Sequence, residues 1–136
     1  MALADLAACT RLVQAFNPAA YTADADTFTA EIDTRGYYEA LVIFNVGALN
    51  AAGPVPMTLH TSATSGGSFA AVTDGDFSAT TSADQVKVAR ILCNGQNPFW
   101  KFQEESTGGT NTFGLSVLLI PYNTGDSDNT AMDFTL

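Results

Sequence analysis

The run Tyr37-Tyr38-Glu39-Ala40-Leu41-Val42-Ile43-Phe44-Asn45-Val46 is built from strand-forming residues. Two-residue alternation places Tyr38, Ala40, Val42, Phe44 and Val46 on one face. The opposite face carries Leu41 and Ile43 between Glu39 and Asn45. A strand that is apolar on both sides at its middle belongs inside a sheet, so this one is expected to be central.

The same period extends outward in both directions. Upstream, Phe28, Ala30 and Ile32 alternate with Thr29, Glu31 and Asp33, and the turn Thr34-Arg35-Gly36 follows. Downstream, beyond a loop over residues 47–54, Val55, Met57 and Leu59 alternate with Pro56, Thr58 and His60. Pro56 cannot donate to a ladder, which predicts an edge strand or a bulge there. A polar turn over 61–67, a short strand over 68–72 and the turn Thr73-Asp74-Gly75-Asp76 come next. Val86 and Val88 open a strand running to Cys93, and Arg90 on their face hints at a change of register. Asn94-Gly95-Gln96-Asn97-Pro98 turns the chain, Trp100 and Phe102 alternate with Lys101 and Gln103, and Gly108-Gly109 turns it again. Phe113, Leu115, Val117 and Leu119 line the longest strand, which stops at Pro121. About seven strands at regular spacing predict an all-β single domain, a β-sandwich or jelly roll. No helical stretch separates them, which excludes a doubly wound parallel sheet.

The sandwich is expected over residues 26–122. Residues 1–25 are Ala-rich, and Leu3, Leu6, Leu12, Val13 and Phe16 suit either a short amphipathic helix or an extended N-terminal arm. Residues 123–136 form an acidic C-terminal tail whose apolar residues gather at its end, Met132, Phe134 and Leu136. A disordered tail is one reading; an apolar tip on a polar tether also suits a segment that orders only against a neighbouring subunit.

The chain has 136 residues, and 46% of them are hydrophobic against only 14% charged. Its surface is therefore expected to be built from Thr, Ser, Asn and Gly. Fourteen acids against five bases give a net charge of −9. That field disfavours direct binding to nucleic acid or to an anionic membrane, and suits docking onto a basic partner. No apolar run approaches the roughly 20 residues of a membrane span. Residues 1–10 lack the basic start and long apolar core of a secretion signal, which predicts synthesis in a cytosol. Cys9 and Cys93 are far apart in sequence and read as reduced structural thiols.

The chemistry-bearing residues are few. His60 is the sole histidine and lies on the polar face of its strand, so neither a nucleophilic triad nor a tetrahedral zinc site is expected. Glu104-Glu105 point to opposite faces of a strand. Asp24-x-Asp26 and Asp74-x-Asp76 are fragments of a calcium loop without its terminal Glu, and read as turn acids, with a weak cation site at Asp74 and Asp76 left open. Gly66-Gly67 and Gly108-Gly109 read as hairpin turns. No catalytic site, cofactor or metal is expected, and the chain does not read as an enzyme.

The segment Asp33-Thr34-Arg35-Gly36-Tyr37-Tyr38-Glu39-Ala40-Leu41-Val42-Ile43-Phe44-Asn45-Val46-Gly47-Ala48-Leu49 adds a further signal. With the hairpin Met57-Thr58-Leu59-His60-Thr61-Ser62 to Gly67-Ser68-Phe69-Ala70-Ala71-Val72, the turn into Trp100 and the final strand, it resembles the head decoration, or cement, proteins of tailed phages. The likeness covers roughly residues 25–122. His60-Thr61-Ser62 replaces an acidic stretch of the family pattern, and the acidic tail is longer than usual. The resemblance implies a β-sandwich on the outer head surface of a virion, made in the host cytoplasm. It also implies a homo-oligomer, a trimer by preference, that braces neighbouring subunits of the major capsid protein. Candidate capsid or subunit contacts are Leu3, Leu6 and Phe16 near the start, Tyr37 and Tyr122 on the body, and Met132, Phe134 and Leu136 in the tail. The alternative is a carbohydrate-binding module using Trp100, with Phe99 and Phe102, as a sugar-stacking platform. A third reading, a hydrolase, needs an acidic pair assembled from Glu31, Asp33 or Glu39.

Overall fold

The computed structural model describes residues 11–22, 27–50, 55–80, 82–105 and 109–121. These form nine strands: β1 (Arg11–Thr22), β2 (Thr27–Phe28), β3 (Ile32–Asp33), β4 (Tyr37–Val46), β5 (Val55–Ser62), β6 (Ala70–Thr80), β7 (Gln85–Leu92), β8 (Phe99–Glu104) and β9 (Thr110–Pro121). They make two antiparallel sheets packed face to face. The first has the order β1-β9-β4-β7; the second runs β2-β8-β5-β6, with β3 also paired to β8. The fold is the all-β sandwich that the alternation predicts.

The core follows from the two inner faces. Ala40, Val42, Phe44 and Val46 of β4 are fully buried beside Phe113, Leu115, Val117 and Leu119 of β9. Opposite them lie Val55, Met57 and Leu59 of β5, Trp100 and Phe102 of β8, and Ile32 of β3. β4 is central, flanked by β9 and β7, as its two-sided apolar character predicts. One detail differs. Its register with β9 shifts between Tyr37 and Glu39, and this extra residue turns Tyr37 toward the core and Tyr38 outward, 40% exposed. The expected turn before it is present: Tyr37 N–H donates to Thr34 O at 3.1 Å, with Gly36 at a φ of 84°.

Five further expectations are corrected, one of them only in part. Residues 11–22, expected in an arm or short helix, are a strand paired with β9 from Arg11↔Leu119 to Thr22↔Thr110, so the sandwich begins well before residue 26. Two bulges interrupt this pairing. At the second, Asn17 and Pro18 lie opposite Gly114, and a Cβ on Gly114 would come within 3.2 Å of Pro18. The stretch 27–33 is two short strands rather than one. Three residues between Phe28 and Ile32 face two of β8, which leaves Phe28 43% exposed while Ile32 is buried. Thr29 fills the gap, its N–H donating to Phe102 O and its Oγ1 accepting from Phe102 N–H.

The sequence Thr73-Asp74-Gly75-Asp76 is likewise a wide bulge within β6, not a turn. Residues 72–75 stand against Leu59 alone, and Asp74 takes a φ of 58°. Lastly, β5 is internal, not an edge. Pro56 sits at a register shift against β6, so the bulge half of that expectation holds. Arg90 marks no register change: β7 pairs with β4 without interruption from Glu39↔Leu92 to Val46↔Gln85.

Candidate functional site

The residues named from sequence fall into three groups. Leu3, Leu6, Tyr122, Met132, Phe134 and Leu136 lie outside the described residues. Phe16 and Tyr37 do not form an exposed contact set. Phe16 is 5% exposed because its ring meets Phe113 edge-on at 5.4 Å and Tyr21 at 5.6 Å. Tyr37 is half-buried against the core. Trp100 is 1% exposed, so it offers no stacking platform; it fills the centre of the sandwich. Its indole N–H has no hydrogen-bond partner among the described residues, a burial cost of about 1–3 kcal/mol. Phe99 is also covered, with the Arg35 guanidinium 5.0 Å from its ring centre.

The three acids considered for a hydrolytic pair each serve a separate partner. Glu31 accepts from Gly66 N–H at 2.8 Å and Ser65 Oγ at 2.6 Å, pinning the loop after β5. The Gly66 N–H, ahead of the Ser65 hydroxyl, holds the Glu31 carboxyl below its ordinary pKa. Asp33 is gripped by Arg35, whose Nη2 lies 2.6 Å from Oδ2, and this bonding lowers the Asp33 pKa. Glu39 lies on the other sheet, where Arg90 Nε donates to it at 2.5 Å. A general acid needs a raised pKa, and neither Glu31 nor Asp33 has one. Among the described residues no group of three or more His, Cys, Asp or Glu is placed to hold a metal ion. His60 packs edge-on against Phe28 at 5.2 Å.

Two features of the first sheet remain, and both involve β7. The outer face is largely apolar, with the Arg90–Glu39 ion pair and the Gln14–Ser116 hydrogen bond set among its apolar side chains. Register carries Leu12, Leu118 and Leu41 across three strands in one row, with Ile43 and Val88 side by side in the next. Leu12 is 68% exposed, Val86 61%, Val88 59% and Leu92 61%, and no described strand covers this face. The second feature is a groove of about 430 Å³ on the open side of the sandwich between β6 and β7. Leu59 and Phe102 form its floor, Val72 and Phe77 one wall, and Ala89 and Ile91 the other, with Asp74 and Asp76 along the β6 side. The β6 bulge shapes that wall, because Gly75 folds so close to Val72 that a Cβ would sit 2.8 Å from it. Just past β7, the half-buried Cys93 is a free thiol, and burial pushes its pKa up to about 11.

Sequence reasoning passed over both features. Val86, Val88 and Leu92 share one parity, but the sequence does not say whether that parity faces the core or the outside. No protein-family model and no curated protein matches the chain.

Proposed function

We propose that the chain is a structural protein that decorates the outer surface of a phage head. It would dock on the major capsid protein as a homo-oligomer, a trimer by preference, and brace neighbouring subunits. The observation that carries the proposal is the outer face of the first sheet. Four large apolar side chains exposed to about 60% or more on one side of a rigid sheet mark a protein-contact surface. The likeness to cement proteins over residues 25–122 supports the choice of partner, and the net charge of −9 suits a basic rim around an apolar contact. Many weak copies on one lattice gain holding strength through multivalency. No helix among the described residues is long and apolar enough to cross a membrane.

The test is to mix the purified protein with empty heads that lack it, then to measure bound copies and head survival on heating. Saturable binding with raised survival, lost in Val88→Asp, is the expected result. Heads that bind no protein, or bind Val88→Asp equally well, would remove the proposal.

A further inference from the structure

We infer that the groove beside β7 is the docking site of this chain's own segment Met132-Asp133-Phe134-Thr135-Leu136, added to β7 as an antiparallel fifth strand of the first sheet. The inference does not rest on the capsid reading and uses the opposite side of β7, but it takes Met132, Phe134 and Leu136, expected from the sequence as capsid or subunit contacts, into the chain's own groove.

An edge strand accepts a new neighbour only if its backbone is regular. Among the described edges β7 is the one of useful length without a register shift: β1 and β6 are bulged, and β2 and β3 have two residues each. A strand laid beside it would present alternate side chains to the groove. Met132, Phe134 and Leu136 alternate with Asp133 and Thr135, the pattern of a strand with one face buried and one wet.

The direction follows from the topology. β9 and β7 both run antiparallel to β4, so Pro121 and Leu92 lie at the same end of the sheet. A chain leaving Pro121 therefore enters beside β7 from the Leu92 end and runs antiparallel to it. The lateral distance is three strand spacings, about 14 Å. Residues 122–131 span up to about 33 Å when extended, more than twice what is needed.

Parity and charge then select the register. Inward residues must face inward ones, which pairs Met132, Phe134 and Leu136 with odd-numbered positions of β7. Placing Phe134 opposite Ala89 sets the largest ring against the smallest side chain of the wall. That register puts Met132 opposite Ile91, Leu136 opposite Lys87, Thr135 opposite Val88 and Asp133 opposite Arg90. The Arg90 side chain is 69% exposed while it holds Glu39, which leaves its guanidinium room for a second carboxylate. A shift of two residues either way moves Asp133 to Val88 or Leu92 and loses that pairing.

The experiment is amide hydrogen exchange on the intact chain and on Phe134→Asp, a change outside all nine strands. The amides of β7 that point away from β4 are expected to exchange slowly in the intact chain. In Phe134→Asp they should exchange at least about tenfold faster, with β4 and β9 unchanged. Ala89→Trp, which fills the groove from the other side, should produce the same loss, and Asp133→Lys a smaller one. Equal β7 exchange in the intact chain and in Phe134→Asp, or protection retained in Ala89→Trp, overturns the inference. Protection that disappears on dilution would assign the strand to a second copy and overturn the own-chain assignment.

Discussion

The two edges of the first sheet are built in opposite ways. At β1 the ladder is broken twice, Pro18 removes a donor, and the Phe16 ring is drawn into a cluster with Tyr21 and Phe113, whose own rings stack at 4.4 Å. Such an edge resists further pairing, because bulges and proline deny a newcomer a regular row of partners. At β7 the ladder is unbroken for eight residues, the side chains on the outside are Val86, Val88, Arg90 and Leu92, and the groove opens alongside. One edge is closed by its own irregularity while the other is left regular. A protein retains such an edge when something pairs with it or covers it.

The contrast can be broken most sharply by truncating one side chain on each edge. Phe16→Ala should lose about 3–5 kcal/mol, since it empties a buried aromatic site, whereas Val88→Ala should stay within about 0.5 kcal/mol. Urea unfolding at unchanged slope measures both, and a Val88 cost close to that of Phe16 would show that β7 is packed as firmly as β1. Gly114→Ala comes next, with an expected loss of about 1–3 kcal/mol, because the added methyl meets Pro18 at the bulge. If Gly114→Ala were neutral, the bulge would be free to move and β1 would be less closed than its geometry implies.

A chemical probe sharpens the β7 side. Cys93 follows β7 directly and its thiol is held near a pKa of 11 by burial, so alkylation should be slow at pH 8 and accelerate toward pH 11. A rate at pH 8 equal to that of a free thiol would mean that the Leu92 end opens readily. The smallest effect belongs to the short edge of the second sheet. Glu31 and Asp33 both have pKa values below their ordinary 4.5 and 3.8, so the stability they contribute is present above that range and is lost as pH falls through the lowered values. Both are only partly buried and open to solvent screening, so the change is modest. Melting temperature against pH should fall less steeply below about pH 4.5 in Glu31→Gln.

The inner faces of β4, β5 and β9 were legible in the sequence because long, unbroken alternation has only one way to bury its apolar set. What escaped were the bulges other than the one at Pro56. One extra residue between Tyr37 and Glu39 or between Phe28 and Ile32, or three extra at 72–75, reverses which side faces in, and nothing local distinguishes it from a regular strand or a turn. β1 was missed for the same reason, since Asn17-Pro18 breaks its alternation and Ala dilutes it. Phe16 reads as a contact in the sequence because Phe113 is brought to it only by the pairing of β1 with β9. The apolar outer face could not be read from β7 alone, because it takes Leu12, Leu41 and Leu118 from three other strands to complete it.

That β9 lies between β1 and β4 has a consequence for how the protein is made. Arg11 meets Leu119 across most of the chain, and the central strand β4 also depends on β9 for one of its two neighbours. Until residues 110–121 have left the ribosome, β1 has no partner in the first sheet and β4 has only β7. Contacts this distant in sequence close late and slowly. Among the described strands the apolar row Phe113, Leu115, Val117 and Leu119 is the last that synthesis supplies to the core, so a chain stalled before it would carry an open, aggregation-prone half-sandwich.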